Sequence, residues 1–140
     1  MEIRKEEIFM CLFCKIINKE IPSYKIYEDE YTYAFLDIAK DIDGHTLVIP
    51  KKHVTNVLDC DNKTLSHVMD SVKKIANHYI DLGYDGVNIM NASGEAAEQS
   101  VFHLHFHILT IKHNDGEHTW PKLTGAKEEL SVMCEKLKME

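Results

Sequence analysis

The residues with the clearest chemical potential are three histidines at alternate positions, His103, His105 and His107, in the stretch FHLHFHIL. This spacing predicts a β-strand over about residues 101 to 111, in which the three imidazoles share one face. Burying three imidazoles without polar partners would cost on the order of several kcal/mol, so the histidine face is expected to line a polar site. The opposite face then carries the side chains expected in the core, Phe102, Leu104, Phe106 and Ile108.

Two kinds of chemistry suit such a face. Neutral imidazoles bind zinc well, and a catalytic zinc commonly keeps three protein ligands. Alternatively, one imidazole acts as a nucleophile towards phosphorus or an acyl group, and its neighbours orient the substrate. The three histidines alone leave both alternatives open.

The loop that precedes the histidines, NASGEAAEQS, is rich in small and polar residues. Gly94 can adopt a positive φ, so backbone N–H groups of this loop can point at an anion. Ser93, Gln99 and Ser100 add polar side chains to the same segment. A solvated hairpin loop is the alternative, but next to the histidine strand the pattern favours a phosphate site.

A second metal-ligating pattern is the CLFC pair, Cys11 and Cys14. In a reducing compartment a CxxC pair indicates metal ligands or redox chemistry more readily than a structural disulfide. Two unpaired thiols are the alternative. Cys60 and Cys134 lack such spacing and are expected to be ordinary thiols.

Length and composition narrow the class of protein. A chain of 140 residues that is 44% hydrophobic suits one globular domain with a single core. The net charge of −7, with acidic and basic residues interspersed, argues against a nucleic-acid-binding surface and leaves room for one phosphate pocket. The sequence shows no membrane-spanning run and no signal peptide, so a cytoplasmic location and no membrane partner are expected.

Hydrophobic periodicity and turn residues predict an α+β fold, an antiparallel sheet of about five strands with helices against it. The most secure element is a long amphipathic helix that Asp61 or Asn62 caps and Gly83 ends. A short N-terminal helix before Pro22 and a C-terminal helix from Thr124 onward complete the helices. The strands are expected at about residues 24 to 27, 31 to 36, 47 to 49, 86 to 91 and 101 to 111.

FHLHFHIL, taken with GHTLVIPKKH, FLDI and the NASGEAAEQS loop, resembles the histidine triad superfamily of nucleotide hydrolases and transferases. The likeness runs from about Cys11 to Trp120 and looks nearest to bacterial members similar to the purine nucleoside phosphoramidases. The resemblance implies one HIT domain over residues 11 to 140 after a leader at residues 1 to 10. It also implies a homodimer with Trp120 near the partner's site.

The resemblance implies the role of each catalytic residue. His105 would attack the α-phosphorus of a purine nucleoside 5′-phosphate derivative and form a nucleotidyl-histidine that water hydrolyses. His107 would contact the phosphate and leaving group, and His45 would close the other side of the site. Ser100 and Asn91 match the polar residues that contact the phosphate and leaving group.

The same resemblance implies a nucleoside pocket and a zinc site. Asp37 would hold the ribose hydroxyls, and apolar side chains would sandwich the base, although core packing is the alternative for each of them. The full implied nucleotide-binding set is Phe13, Phe35, Asp37, Ile38, Asn91, Gln99, Ser100, His105 and His107. Structural zinc would be held by Cys11, Cys14, His53 and His103, and no organic cofactor is expected.

One departure from the family pattern concerns the loop, which carries Ala96, Ala97 and Glu98 where relatives often place a glycine before the glutamine. Substrate preference is therefore less well defined than the nucleophile. The leading hypothesis is a hydrolase of adenosine phosphoramidates. The alternatives are a dinucleoside polyphosphate hydrolase and, in another class, a nucleotide- or zinc-binding interaction protein.

Overall fold

The computed structural model describes residues 10–117 and 122–139. The predicted leader, apart from Met10, and the predicted partner contact at Trp120 lie outside the described residues. Within them the chain forms three α-helices, one 3₁₀ turn and five strands. In chain order these are α1 Leu12–Ile17, β1 Lys25–Glu28, β2 Thr32–Leu36, β3 Thr46–Pro50, α2 Asn62–Asp81, β4 Gly86–Met90, the 3₁₀ turn Glu95–Ala97, β5 Phe106–Ile111 and α3 Leu130–Leu137.

The five strands form one antiparallel sheet in the order β1-β2-β3-β5-β4. This arrangement confirms the predicted α+β fold. The hairpin between β1 and β2 forms at the acidic turn, where the Asp29 carboxylate accepts hydrogen bonds from the backbone N–H groups of Tyr31 and Thr32 at 2.9 and 2.8 Å. The central strands β3 and β5 position the histidines of the site, because His107 lies in β5 in register with Leu47 and His45 directly precedes β3.

Helix α2 covers one face of the sheet, as its apolar stripe predicts. Asp61 is its N-cap, with the side chain accepting from the Thr64 N–H, and Gly83 follows its end with a φ of +107°. Leu104, Phe106 and Ile108 lie on this side of the sheet, as expected. They pack in one core cluster with Ala34, Val48, Val54, Val68, Val72, Ile75 and Tyr79.

Helix α1 covers the opposite face, where a second and smaller core cluster forms. Its members are Cys11, Phe13, Cys14, Ile16, Tyr33, Phe35, Leu47 and Ile49. The histidines point to this side of the sheet, since the rings of His103 and His105 both lie against Phe13. Burial between α1 and the sheet therefore places the histidines beside the CLFC pair.

Strand β5 begins at Phe106, so the prediction of a strand from about residue 101 is wrong at its start. Pairing with β3 ends at Val48 and Phe106; if the register continued, Pro50 would stand opposite Leu104, and Pro50 has no N–H to donate. The preceding segment bonds elsewhere, with the Leu104 N–H donating to the Val54 carbonyl at 2.8 Å. Only His107 of the three histidines therefore lies in a strand.

Two further predictions are corrected. Phe102 is not a core residue, because 49% of its surface is exposed on the irregular segment before β5. The C-terminal helix α3 begins at Leu130 and not near Thr124. Gly125 has a φ of +95°, which is incompatible with a right-handed helix at that position.

Gly44 places His45 at the start of β3 and tolerates no side chain. Its φ is +82°, and a Cβ there would lie 2.9 Å from the Thr110 Oγ1 and 3.0 Å from the Thr110 Cγ2. We expect Gly44→Ala to lower the free energy of unfolding by about 1–3 kcal/mol, because it adds backbone strain and a close contact. Urea denaturation followed by circular dichroism measures this change.

The matched control is Gly86→Ala in β4, where an added Cβ would meet nothing within 4 Å. This substitution is expected to change the free energy of unfolding by less than about 1 kcal/mol, because alanine at a compatible φ also restricts the unfolded chain. Equal destabilisation by the two variants would contradict the role assigned to Gly44.

Among the described residues, the helices include none with the length and apolar character that a membrane span requires.

Candidate active site

His105 has the hydrogen-bond geometry of a nucleophile. Its Nδ1 lies 2.7 Å from the carbonyl oxygen of His103, and a carbonyl oxygen can only accept. His105 therefore carries its proton on Nδ1 when neutral, and the Nε2 lone pair is free to attack. The backbone is held as well, because the Asn91 side chain donates to the His105 carbonyl at 2.9 Å.

The surroundings keep His105 neutral. Its ring is buried, with the Phe13 ring edge-on at a centroid distance of 5.2 Å and the His107 ring at 5.0 Å. Burial lowers the pKa of His105 below its ordinary value of 6.5, and the positive potential of His45 adds to this. The bond to His103 and the Asp37 carboxylate oppose the shift without reversing it.

His107, His45 and Asp41 form a hydrogen-bonded row beside His105. The His45 Nε2 lies 2.8 Å from the His107 Nδ1, and the His45 Nδ1 lies 2.8 Å from the Asp41 Oδ1. The Asp37 Oδ2 is 3.7 Å from the His45 Nε2. Two carboxylates thus face one buried imidazole.

The pKa values of His107 and Asp41 show that one member of this row is neutral and another is charged at pH 7. Burial, followed by His105 and His45, lowers the pKa of His107 to about 4, so His107 is neutral at pH 7. Burial raises the pKa of Asp41, but the hydrogen bond and charge of His45 outweigh it and hold the pKa below its usual range. Asp41 is therefore an ionised acceptor.

Asp37, His45 and His107 offer donor atoms within 4.8 Å of one another, which is close enough to raise the question of a metal. Both nitrogens of His45 are already engaged, however, by His107 and by Asp41 at 2.8 Å each. An imidazole ligand needs one free lone pair directed at the metal. These residues are accordingly better described as a hydrogen-bonded row than as a metal centre.

The predicted zinc ligands do converge. Cys11, Cys14, His53 and His103 are all buried, and their donor atoms lie within 4.8 Å of one another. This group, here called the Cys/His cluster, joins the start of α1 to the loop after β3 and to the segment before β5. Helix α1 positions both thiols, because Cys11 is its N-cap and accepts from the Cys14 N–H at 3.4 Å.

The distances within the Cys/His cluster fit a tetrahedral zinc ion. Ligand bonds of about 2.3 Å for sulfur and 2.0–2.1 Å for nitrogen place two nitrogens about 3.3 Å apart and a sulfur and a nitrogen about 3.5 Å apart. The His53 and His103 Nδ1 atoms are 3.2 Å apart. The sulfur-to-nitrogen distances are 3.4 Å for Cys11 to His103, 3.2 Å for Cys14 to His53 and 3.6 Å for Cys14 to His103.

The protonation of the cluster also fits a cation. The His103 Nε2 lies 2.8 Å from the Pro50 carbonyl and so carries the proton, which leaves the Nδ1 lone pair directed at the thiols. Burial and then Cys11 raise the pKa of Cys14 to about 12. Two thiolates are therefore unstable there alone, and a divalent cation would supply the missing charge.

The loop between β4 and β5 is tied down by Gln99. Its Oε1 accepts from the Gly94 N–H at 2.9 Å and from the Asn56 side chain at 3.2 Å. Its Nε2 donates to the carbonyls of Thr55 and Val101 at 2.7 and 3.0 Å. All four hydrogen-bonding positions of this amide are occupied by protein, so Gln99 shapes the loop and its side chain has no capacity left for a ligand.

Ser100 is exposed and lines a groove of about 580 Å³ next to the Cys/His cluster. The groove has mainly apolar walls from α1 and the segment before β5, and its lining residues are Met10, Cys11, Leu12, His53, Thr55, Ser100, Val101 and Phe102. The lining includes none of His45, His105 and His107, so the structure places Ser100 beside the Cys/His cluster.

The predicted nucleoside residues fall into two groups. Phe13 and Phe35 are each 4% exposed and pack edge-on at 5.4 Å, so both belong to the core beneath the histidines. Ile38 is 80% exposed and can cover a ligand without disturbing the core. Asp37 lies between them at the end of β2, partly exposed, with its Oδ1 accepting from the Ala39 N–H at 2.8 Å.

Comparison with known proteins shows the family. The HIT domain model matches residues 18–114. The chain belongs to the HIT family. A HIT-like protein of Borreliella burgdorferi, itself uncharacterized, is 49% identical over 112 residues, which cover 78% of this chain and 81% of the relative.

Two further relatives of this HIT protein bear on its chemistry. The adenosine 5′-monophosphoramidase of Schizosaccharomyces pombe is 34% identical over 130 residues, which cover 91% of this chain and 95% of the relative. A Zn-bound histidine triad family protein from Mycobacterium smegmatis superposes with a TM-score of 0.74 at 37% identity, covering 78% of this chain and 80% of that one. Homology thus supports a nucleotide-processing role for this HIT protein.

One site residue was missed from the sequence. Asp41 contacts His45 directly, yet it belongs to none of the sequence motifs that indicate the site. A usable signal was present, because an acidic residue stands four positions before His45 in the turn that leads into β3. Only the folded turn shows that its carboxylate reaches the imidazole.

Proposed function

We propose that this HIT protein is a nucleotide hydrolase or transferase that cleaves purine nucleoside 5′-phosphoramidates of the adenosine type through a nucleotidyl-His105 intermediate. The observation that carries the proposal is the Nδ1–H bond from His105 to the His103 carbonyl, which leaves Nε2 free as the nucleophile. A relative named adenosine 5′-monophosphoramidase supports the choice of substrate.

The reaction has two halves. In the first, the His105 Nε2 lone pair forms a bond to the α-phosphorus while the bond from phosphorus to the leaving nitrogen breaks, and the released amine takes up one proton. In the second, water attacks the same phosphorus and releases the nucleoside monophosphate and free His105. A phosphoryl-type transfer depends mainly on positioning and charge stabilisation, which the surrounding polar groups supply.

We assign the remaining residues by their places around His105. His107 contacts the phosphate and leaving group, His45 closes the far side, and Ser100 meets the leaving group at the groove. Asp37 binds the ribose hydroxyls, and Ile38 covers the base above a floor of buried aromatic rings. Asn91 holds the backbone of His105 in place, and Gln99 fixes the loop between β4 and the histidines.

The Cys/His cluster would hold one structural zinc ion, with Cys11, Cys14, His53 and His103 as its ligands. When bound, the ion would supply positive charge that stabilises two buried thiolates, and its ligands would link α1 to the sheet. We also propose that the protein is a cytoplasmic homodimer whose domain spans residues 11 to 140. Light scattering coupled to size exclusion tests the dimer, and a monomeric mass at 50 μM would reject it.

Substrate competition tests the proposed activity. The protein is incubated with adenosine 5′-phosphoramidate and, separately, with a dinucleoside polyphosphate, and AMP is followed by liquid chromatography. We expect a kcat/KM at least about 10-fold higher for the phosphoramidate. A preference for the dinucleotide would favour that alternative, and binding of AMP without turnover of either compound would favour an interaction protein.

The lowered pKa values predict how activity depends on pH. A protonated imidazole has no lone pair for attack. Burial lowers the pKa values of His105 and His107 below the ordinary 6.5, so both rings stay neutral to lower pH than an exposed histidine does. The acid limb of the pH profile of kcat/KM is therefore expected to have its midpoint below pH 6.5. Initial rates between pH 4.5 and 8.5 measure this midpoint, and a midpoint at or above 6.5 would contradict the assignment.

A further inference from the structure

Asp41 is a carboxylate at the active site to which neither the resemblance nor the comparisons assign a role. It stands on the loop between β2 and β3, four residues before His45, and its Oδ1 lies 2.8 Å from the His45 Nδ1. An ionised carboxylate can only accept, so the His45 Nδ1 carries a proton. Because this bond fixes the proton on Nδ1, only the protonation of the His45 Nε2 can change.

The variable nitrogen is the His45 Nε2, which lies 2.8 Å from the His107 Nδ1. One proton must lie between these two nitrogens, and its position defines two states of the row. When it is on His107, the His107 Nε2 has a free lone pair. When it is on His45, that residue is an imidazolium facing Asp41 and Asp37, and neutral His107 carries a further proton on Nε2, so this state holds one proton more than the other.

We propose that Asp41 is a positioning residue that, through His45, makes His107 the proton donor to the leaving amine. This inference rests on the proposed function, since it names the regulation of proton transfer at that same site. Asp41 does not touch the substrate in this proposal. It acts by fixing the proton on the His45 Nδ1 and by stabilising the His45 imidazolium that is present before the first half-reaction and is restored at the end of the second.

The proton balance closes over one turnover. As the bond from phosphorus to nitrogen breaks, its electron pair passes to the amine nitrogen, which takes the proton from the His107 Nε2. The proton on the His45 Nε2 then moves to the His107 Nδ1. In the second half, the attacking water gives a proton to the His107 Nε2, and the His107 Nδ1 proton returns to His45, so the relay is reset.

The other charged and titratable groups that face this row are few in the described part of the chain. Asp37 lies 3.7 Å from His45, and His105 adjoins His107 with ring centroids 5.0 Å apart. The Asp41 side chain is 53% exposed, so solvent screens part of its charge. We therefore expect an effect below the roughly 10²–10⁴-fold range of general acid catalysis, about 10-fold.

The test compares Asp41→Asn with Asp43→Asn, which removes the same charge from an exposed position on the same loop. Two substrates are used, an alkylamine phosphoramidate of AMP, whose leaving group needs a proton, and the p-nitrophenyl ester of AMP, whose leaving group does not. Asp41→Asn is expected to lower kcat/KM about 10-fold for the phosphoramidate and less than about 2-fold for the ester. Asp43→Asn is expected to leave both values unchanged.

Equal losses on the two substrates would overturn the proposal, because a merely structural role would impair both alike. No loss on either substrate would overturn it too. Asp41→Glu is expected to restore part of the phosphoramidate rate by restoring the acceptor. A variant that misfolds is recognised by its melting temperature before the rates are compared.

A second readout separates this inference from the proposed function. Nitrogen-15 NMR of the histidine rings reports which nitrogen is protonated in the absence of substrate. We expect His45 to carry a proton on Nδ1 in the unmodified protein and to lose this preference in Asp41→Asn. A His45 that lacks the Nδ1 proton would overturn the relay even if phosphoramidates are turned over, whereas an intact relay without turnover would count against the proposed function alone.

Discussion

His105→Ala is expected to lower kcat/KM for adenosine 5′-phosphoramidate by at least about 10³-fold, because it removes the nucleophile that splits the reaction into two easier steps. No neighbouring group can take its place. The His107 Nδ1 is bonded to His45, and its ring belongs to β5, whereas His105 precedes that strand. Steady-state AMP release measured by liquid chromatography gives the ratio.

The matched control is His113→Ala, which removes an imidazole that is 85% exposed on the turn after β5. It is expected to change kcat/KM by less than about 2-fold. AMP binding by calorimetry should remain within about 10-fold in His105→Ala, because the ribose and phosphate contacts persist. A His105→Ala variant that folds, binds AMP and keeps more than about a tenth of the activity would contradict the assignment of the nucleophile.

The second large effect is expected at the Cys/His cluster. Replacing both Cys11 and Cys14 with serine should remove about one equivalent of zinc per chain and lower the melting temperature by roughly 10 °C. The cluster joins α1 to the sheet, so its loss frees the first helix. Inductively coupled plasma mass spectrometry gives the zinc content, and scanning calorimetry gives the melting temperature.

Loss of zinc should also reduce turnover through His103. The ring of this residue belongs to the cluster, and its carbonyl oxygen accepts the Nδ1–H of His105 at 2.7 Å. Cys60→Ser is the matched control, because Cys60 is a free thiol outside the cluster. It should keep the full zinc content. An unmodified protein without zinc, or a double variant that retains it, would contradict the metal assignment.

Most of the architecture could be predicted from the sequence, because the spacing of apolar residues follows directly from which side of each element is buried. The stripe of α2 and its Asp61 cap, the acidic turn at Asp29 and the apolar run of β3 each appear where local pattern places them. Alternation correctly separated the histidines from Leu104, Phe106 and Ile108, even though regular pairing begins only at Phe106. Successive side chains of an extended segment point to opposite sides, and this alternation persists where the hydrogen bonds to a neighbouring strand are missing.

The features that could not be predicted depend on contacts distant in sequence. The start of β5 at Phe106 is opposite Val48, and two residues further along β3 stands Pro50, which cannot donate a bond to extend the pairing. The occupied amide of Gln99 depends on Asn56 and Thr55, more than forty positions earlier in the chain. The bond from Asp41 to His45 is local, but it requires the turn that Gly44 permits at a positive φ.

The most direct test of the central claim is to trap the covalent intermediate. Unmodified protein is mixed with substoichiometric adenosine 5′-phosphoramidate labelled at phosphorus, quenched in alkali at millisecond intervals, digested and analysed by tandem mass spectrometry. We predict that one AMP unit appears on His105 and decays at least as fast as steady-state turnover. Turnover without an adduct at any time, or with the adduct on another residue, would contradict the account.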